Sequence, residues 1–170
     1  MIRLTDIHFN YNSHMVLNGL NLQVCQGDRI GLIGANGSGK TTMCKIIMGL
    51  VKPQSGTVEV FDRRRTVESD FTEVRRRIGF VFQDADDQLF CPTVLEDVAF
   101  GPLNQGKSVQ EAKRIVADTL QSLRLTGFEE RFSHQLSGGE KRLVSLATVL
   151  AMADSLAVFF SPASMVRATW

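Results

Sequence analysis

The sequence has little of what defines several specialised classes of protein. Its three cysteines, Cys25, Cys44 and Cys91, are widely spaced among 170 residues and fit neither a disulfide framework nor a zinc site. Lys plus Arg number 19 and Asp plus Glu 18, so the net charge gives no reason to expect a nucleic-acid partner. The longest apolar stretch, residues 143–153, is too short to span a bilayer and is typical of a buried helix. With no signal peptide at the N-terminus, these absences predict a single domain in the reducing cytosol.

The order of the predicted elements indicates an α/β fold. Alternating residues in "IRLTDIHFNY" and "LNGLNLQVC" are typical of antiparallel strands, with "NSHM" as the turn between them. The short apolar run "RIGLIG" predicts a buried parallel strand, and "TVEVF", "IGFVF" and "LAVFF" predict further strands. Helices are predicted for "KTTMCKIIMGL", for a charged segment around residues 73–77 and for residues 138–152. The arginine clusters at 63–65 and 75–77 are interpreted as solvated faces.

Two capping-box patterns predict helix starts between "IGFVF" and residue 138. In each, a hydroxyl residue is followed three positions later by a glutamate: Thr93 with Glu96, and Ser108 with Glu111. The sequence therefore predicts a helical insertion between two strands of the core.

A glycine loop is the firmest functional signal. Residues 34–41, "GANGSGKT", match G-x-x-x-x-G-K-[ST], with a predicted strand before and a helix after. Glycines allow close approach to phosphate oxygens, and backbone N–H groups with the helix N-terminus form an anion cradle. We expect Lys40 to reach the β- and γ-phosphates and Thr41 to offer its hydroxyl to Mg²⁺. A tight turn without a ligand is the alternative. The residues expected to contact ATP here are Asn36, Gly37, Ser38, Gly39, Lys40, Thr41 and Thr42.

The segment "LSGGEKR", residues 136–142, places paired glycines before a long helix, and its exposed N-terminus suits a second phosphate contact. With both motifs, nearly the whole chain resembles the nucleotide-binding subunits of ABC transporters. The resemblance implies an α/β P-loop NTPase of the ABC ATPase type, with an antiparallel β subdomain and an inserted helical subdomain. It implies a core lobe of about 1–83 and 143–162 and a helical subdomain of about 84–142. It also implies a head-to-tail homodimer or heterodimer, in which ATP held by one glycine loop is contacted in trans by Ser137, Gly138, Gly139 and Glu140 of the other chain.

The resemblance gives roles to two more residues. Tyr11 matches the aromatic residue that stacks on adenine, whereas alone it would be interpreted as a strand-edge tyrosine. Gln83 matches the Q-loop glutamine that contacts Mg²⁺ and the attacking water, whereas alone it would be interpreted as part of a turn. ATP and Mg²⁺ are thus the expected cofactors, with Thr41 and Gln83 as the metal contacts.

A narrower likeness lies in "FQDADDQLFCPTVLEDVAFGPLNQG", which resembles the ATPase subunits of energy-coupling-factor importers, especially the cobalt and nickel branch. It implies that Gln88–Pro102 lies near a groove for a coupling helix of a membrane subunit, which would hold the chain at the inner face of the cell membrane. Cobalt, nickel and vitamins remain open as cargo. The acids Asp84, Asp86 and Asp87 are interpreted as a solvated loop and not as a metal site.

The sequence departs from the family where the catalytic acids belong. Family members follow the strand after LSGG with Asp and then Glu, but Phe160 and Ser161 stand at these positions and no acid follows Asp154. The histidines His8, His14 and His134 all precede this strand, so the family's switch histidine has no counterpart. Because loss of a general base alone costs ~10²–10⁴ in rate, we predict ATP binding with poor or no hydrolysis.

Three other interpretations are open at this stage. The chain could be a non-hydrolysing module that pairs with an active subunit. It could be an inactive remnant whose tail arose by a shift of reading frame, or equally an evolved divergence. DNA-repair and chromosome-maintenance ATPases share LSGG-type signatures, but they carry long heptad coiled coils between the two motifs, and this sequence has none.

Overall fold

A computed structural model describes residues 1–152 and 157–160, which fall into two compact units, one built on Met1–Arg75 and one on Arg76–Phe160. The finer division into a core lobe and a helical subdomain stays a prediction. Among the described helices, none has the length and apolar character needed to cross a membrane.

The first unit is built around an antiparallel sheet of four strands in the order β2-β1-β3-β4. They are β1 (Ile2–Tyr11), β2 (His14–Val24), β3 (Ser55–Val60) and β4 (Arg63–Arg64). The predicted pairing of β1 with β2 is confirmed, with Tyr11 opposite His14 at the turn. Helices α1 (Lys40–Ile47) and α2 (Asp70–Arg77) follow β2 and β4. The buried residues that form this core are Leu4, Ile7, Ile46, Ile47, Val58, Val60, Phe71 and Val74.

The prediction of a strand for "RIGLIG" is wrong. Residues 29–34 form no strand, and Ile33 is 92% exposed. A continuous apolar run makes a stable parallel strand only when neighbouring strands and covering helices bury both of its faces. The parallel sheet of the described residues contains two strands, β5 and β6, and residues 29–34 belong to no sheet.

The arginine clusters are only partly solvated, because Arg65 is buried. Its guanidinium donates to the carbonyl of Val60 at 2.9 and 3.1 Å, to the carbonyl of Asp70 at 2.8 Å and to the Glu73 carboxylate at 3.0 Å. Arg63, by contrast, leaves 74% of its side chain exposed. Arg65 therefore ties the end of β3 to helix α2, a role that the sequence run did not reveal.

The second unit contains β5 (Ile78–Val81), α3 (Val94–Asn104), α4 (Val109–Ser122), α5 (Gly138–Met152) and β6 (Ala157–Phe160). Both capping boxes are confirmed at the starts of α3 and α4. Strands β5 and β6 are parallel, with Val81 opposite Phe160. The three helices enclose a core of Val94, Val98, Ala99, Ala112, Val116, Leu120, Leu125, Leu136, Val144, Ala147 and Ala151.

Gly79 allows α5 to approach β5 closely. A Cβ atom at this position would lie 1.9 Å from Cγ1 of Val149. Only glycine fits at that separation, so the contact between strand and helix depends on it.

Candidate functional site

The glycine loop lies in the first unit and leads directly into helix α1. Gly37 and Gly39 have φ of 81° and 88°, in the left-handed region that favours glycine. Gly39 is the N-cap of α1, so the cap supplies no side-chain acceptor, and the first turn of the helix carries no acidic residue. The positive end of α1 is therefore not neutralised by the helix itself and suits an anion.

Lys40 directs its ammonium group back over this loop. Its Nζ donates to the carbonyls of Gly34 and Ala35 at 2.7 and 2.8 Å and lies 3.3 Å from Oγ of Ser38. Within the described part of the chain, Lys40 has no carboxylate partner. Its charge is held by neutral acceptors alone, which a phosphate anion could replace with stronger, charge-assisted hydrogen bonds.

The loop packs against the start of β2. A Cβ atom on Gly39 would lie 2.6 Å from Cδ2 of Leu17 and 3.1 Å from the carbonyl oxygen of Val16. His14 lies two residues before Val16 on the same strand, a distance of about 7 Å along β2. His14 is paired with Tyr11 at the turn of the hairpin. The turn of the hairpin that carries Tyr11 therefore lies close to the glycine loop.

Tyr11 is available as a stacking platform. Its side chain is 45% exposed, and its ring meets Phe9 edge-on with ring centroids 4.8 Å apart. The contact with Phe9 orients the ring, and its partial exposure suits stacking on a flat aromatic ligand such as adenine.

The remaining predicted contacts of the loop differ in exposure. Asn36 and Ser38 are exposed and Thr41 is half-buried, whereas Thr42 is 6% exposed. A contact from Thr42 to a phosphate would therefore come from its backbone N–H and not from its hydroxyl.

The signature segment at the start of α5 lies in the second unit and has its own cap. Glu140 accepts from the backbone N–H of Ser137 at 2.8 Å, and the Glu140 N–H donates to Oγ of Ser137 at 3.3 Å. Hydrogen bonds from the hydroxyl and the backbone N–H of Ser137 hold the pKa of Glu140 below its usual value. Arg131, stacked 3.8 Å from the ring of Phe128, pairs with Glu140 at 3.3 Å. This cap fixes the start of α5, where Gly138 and Gly139 are exposed.

Gln83 lies just beyond the carboxyl end of β5 and is exposed. That is the edge of a parallel strand at which ligands of open α/β folds bind. Because Gln83 belongs to the second unit and the glycine loop to the first, their joint action on one metal ion stays a prediction.

Gln88 is a residue that the sequence motifs did not single out. Its Oε1 accepts from the backbone N–H of Phe82 at 3.1 Å, and its Nε2 donates to the carbonyl of Ser145 at 2.8 Å and to Oγ1 of Thr148 at 2.7 Å. One amide thus joins the loop after β5 to helix α5. The partners are 57 and 60 residues away along the chain, so no local pattern could have revealed them.

The acidic loop after β5 is held by hydrogen bonds and an ion pair. Asp84 accepts from the N–H of Asp86 at 3.1 Å, and Asp86 pairs with Lys141 at 2.5 Å. Among the described residues there is no group of three or more His, Cys, Asp or Glu side chains able to hold a metal ion. Asp86 is therefore paired with a lysine and is not merely a solvated side chain of the loop.

The segment before α3 is held by a buried carboxylate. Asp97 accepts from the N–H groups of Phe90 and Cys91 at 3.0 and 2.8 Å and from the hydroxyl of Ser133 at 2.6 Å. Burial and the nearby charge of Asp97 raise the pKa of the Cys91 thiol to about 11. The thiol is therefore protonated at neutral pH and unsuited to nucleophilic chemistry.

An apolar groove of about 400 Å³ lies between α3 and α4. Phe100 on its wall meets Phe90 edge-on with centroids 4.9 Å apart, and Phe90 is 67% exposed. Glu96 and Lys113 supply its charged groups. Much of its lining falls within the predicted segment Gln88–Pro102, and its apolar walls include Pro92, Leu95, Ala99, Phe100, Val109 and Ala112.

The sequence predicts the family's acidic pair at positions 160 and 161, where this chain has Phe160 and Ser161. Phe160 is the last residue of this strand, and Ser161 lies outside the described residues. The prediction that β6 delivers Phe160 to the carboxyl end of a parallel strand is confirmed for the backbone.

Comparisons with known proteins agree with the two motifs. A family model described as ABC transporter matches residues 17–163. A protein of Nitratidesulfovibrio vulgaris named as an ABC transporter ATP-binding protein is 52% identical over 164 residues, which cover 95% of this chain and 60% of that protein. The energy-coupling factor transporter ATP-binding protein EcfA of Methanothermobacter thermautotrophicus is 42% identical over 164 residues, covering 95% of this chain and 53% of that protein.

A solved structure gives the same result for the fold. CbiO1 from Clostridium perfringens, part of the ABC transporter complex CbiONQ, matches 89% of this chain and 61% of its own with a TM-score of 0.78 and 31% identity. The predicted α/β P-loop fold of the ABC ATPase type is confirmed. The chain spans about three fifths or less of the length of these relatives.

Proposed function

This chain belongs to the ABC transporter family, and from that premise we propose that it is an ATP-binding, energy-coupling subunit of an importer of the energy-coupling-factor type. One observation carries the proposal: a glycine loop with two left-handed glycines, an uncapped helix N-terminus and a lysine held by neutral acceptors. This arrangement presents donors and positive charge to a polyphosphate without a competing carboxylate.

Each end of ATP has its own residues in this proposal. Tyr11 stacks on adenine, backbone N–H groups of residues 36–42 hold the phosphates, and Lys40 neutralises their charge. The fit of Mg²⁺ depends on Thr41 and Gln83, whose hydroxyl and amide oxygens are ligands of the kind that Mg²⁺ accepts beside phosphate. When bound, Mg²⁺ neutralises the charge of the phosphates.

The second binding surface is the signature segment. In a head-to-tail dimer, Ser137, Gly138, Gly139 and Glu140 of one chain contact the ATP held by the partner. Ser137, Gly138 and Gly139 are exposed at the start of α5, which supports this role.

We further propose that hydrolysis is weak or absent, because Phe160 and Ser161, at the positions where the family has its acidic pair, offer neither a carboxylate for the metal nor a general base. The same observation favours a second candidate function, a non-hydrolysing module that pairs with an active subunit. In both functions this chain binds ATP and hydrolyses it weakly or not at all, so they differ in whether the chain pairs with an active subunit.

The groove between α3 and α4 is the surface proposed to receive a membrane-embedded subunit. Its apolar walls suit an amphipathic helix, and residues around it come from Gln88–Pro102. Such a partner would hold the chain at the inner face of the membrane. Cobalt or nickel is the proposed cargo, from the likeness of residues 82–106 to the cobalt and nickel branch of energy-coupling-factor ATPases, and vitamins remain the alternative.

Equilibrium binding of a fluorescent ATP analogue with Mg²⁺ tests the nucleotide site. Saturable binding is expected, and Lys40→Ala should weaken it about tenfold or more, because it removes charge-assisted hydrogen bonds. Lys45→Ala, on the same helix but outside the loop, is the matched control and should bind normally. Equal affinity of Lys40→Ala and the unmodified chain would overturn the site.

Phosphate release tests weak hydrolysis, and association with an intact relative tests the second candidate function. The chain alone should release phosphate far more slowly than an intact relative assayed beside it. Turnover at the rate of that relative would contradict weak hydrolysis. ATP-dependent association with the intact relative, without turnover by this chain, would favour the non-hydrolysing module.

A further inference from the structure

The loop that carries Gln83 is in contact with helix α5. Gln88 lies between them and makes hydrogen bonds to both: to Phe82, the residue before Gln83, and to Ser145 and Thr148 on the helix. All of these residues belong to the second unit.

The surroundings define the orientation of the Gln88 amide. The Phe82 N–H is a donor and faces Oε1, whereas the Ser145 carbonyl is an acceptor and faces Nε2. Turning the amide over would place donor against donor and acceptor against acceptor. Thr148 strengthens the arrangement, since its hydroxyl accepts from Gln88 and donates to Ser145 at 2.8 Å.

A second link holds the same face of the helix. Asp86, two residues before Gln88, pairs with Lys141, whose side chain is only 18% exposed. Lys141, Ser145 and Thr148 are spaced at i, i+4 and i+7 and so lie on one side of α5. The loop therefore contacts α5 over about 10 Å of its length, beginning in the first turn of the helix.

We propose that Gln88 is a positioning residue that makes the Gln83 loop and helix α5 move as one piece. A ligand that displaces Gln83 would then also displace Ser137, Gly138 and Gly139 at the start of α5. The proposal rests on the proposed function, because it assumes that MgATP acts on Gln83. It gives a physical route by which one nucleotide contact changes the surface offered to a second chain.

The most informative variant is Gln88→Glu. A carboxylate of the same shape still accepts from Phe82 and can accept from the Thr148 hydroxyl, but it faces the Ser145 carbonyl with an acceptor. The hydrogen bond of residue 88 to the backbone of α5 is therefore lost, while the Asp86–Lys141 pair is kept. Thr148→Val is a milder second variant, which removes one acceptor of the Gln88 amide at nearly constant volume. Gln121→Glu, at an exposed position on α4, introduces the same charge away from the contact and is the matched control.

Hydrogen exchange on the full chain, with and without saturating MgATP, tests the coupling. In the unmodified chain and in Gln121→Glu, MgATP should slow exchange in both segments 83–88 and 137–141. In Gln88→Glu the response of 83–88 should persist, while the response of 137–141 falls about fivefold, the size expected for a lost hydrogen bond. Thr148→Val should show a smaller loss in the same segment. Equal responses at 137–141 in Gln88→Glu and the control would overturn the proposal.

The nucleotide-free arm separates this proposal from the proposed function. Without ATP, Gln88→Glu should speed exchange in the first turn of α5 about fivefold and leave the Phe82 amide protected. Unchanged exchange in the first turn of α5 would overturn the positioning role of Gln88, even if the chain binds ATP. If the unmodified chain does not bind ATP, the proposed function is overturned. The nucleotide-free measurement still decides whether Gln88 joins the Gln83 loop to α5.

Discussion

At the scale of single residues, the buried Arg65 can be replaced least easily, because several groups depend on its hydrogen bonds. Only 4% of its side chain is exposed, and its guanidinium satisfies two carbonyls and a carboxylate at once. Lysine has one ammonium group in place of the planar fork and cannot reach these partners together. Arg65→Lys should therefore lower the free energy of unfolding by about 2–3 kcal/mol, since buried acceptors lose their donors.

Urea denaturation measures this loss, and Arg63→Lys supplies its control. Arg63 is largely exposed and its contact to Glu73 is 3.7 Å, so this change should stay within about 0.5 kcal/mol. Equal effects of the two substitutions would show that the Arg65 network contributes little.

Glu140 gives the signature segment a dependence on pH. Its pKa is lowered in the folded chain by Ser137, so the stabilisation is present above the unfolded pKa of about 4.3 and is lost as pH falls through the folded value. Glutamine also completes a capping box but does not titrate. The Tm of Glu140→Gln should thus fall less than that of the unmodified chain between pH 6 and pH 3.

Ser137→Ala provides an independent check on that pH dependence, because it removes the hydroxyl that lowers the Glu140 pKa. In this background, replacing Glu140 by glutamine should change the acid sensitivity of the Tm much less. An undiminished difference would assign the effect to another group.

At the scale of elements, the packing of α5 on β5 depends on Gly79. Gly79→Ala would place a methyl group 1.9 Å from Val149 Cγ1, and relief of that overlap should cost about 1–3 kcal/mol of stability. Adding Val149→Ala makes room for the methyl group. The double variant should therefore be more stable than the sum of the two single changes by at least about 0.5 kcal/mol.

Chemical denaturation of the single and double variants measures this coupling. Strictly additive losses would mean that α5 can shift away from β5 without cost. The close approach would then be incidental to the position of the helix.

Elements defined by local signals could be predicted from the sequence. The capping residues Thr93 and Ser108 mark the starts of α3 and α4, and both boxes are present in the structure. Alternation predicted β1 and β2, because one face of an antiparallel pair is buried whatever follows along the chain. These signals lie within a few residues of the structure they specify.

Features that depend on distant partners could not be predicted. Residues 29–34 have the composition of a buried strand, but composition does not supply the neighbours that such a strand requires. Arg65 looks like part of a charged run, and Gln88 like part of a polar loop. Their roles come from backbone groups brought close by folding, which a sequence pattern does not encode locally.

At the scale of the whole molecule, the two nucleotide motifs lie in different compact units. The glycine loop belongs to the unit built on Met1–Arg75, and Gln83 and the signature segment belong to the other. MgATP binding by the glycine loop is therefore the primary event. Weak hydrolysis, dimerisation and docking to a membrane subunit are proposals that build on it.

Thermal unfolding with and without MgATP tests nucleotide binding at the glycine loop. A ligand that binds only the folded state at 100 times its Kd stabilises it by about 2.7 kcal/mol, which should raise the Tm by roughly 5–10 °C in a chain of this size. Lys40→Ala should show a much smaller rise at the same MgATP concentration. An unchanged Tm of the unmodified chain, or an equal rise in Lys40→Ala, would contradict nucleotide binding at the glycine loop.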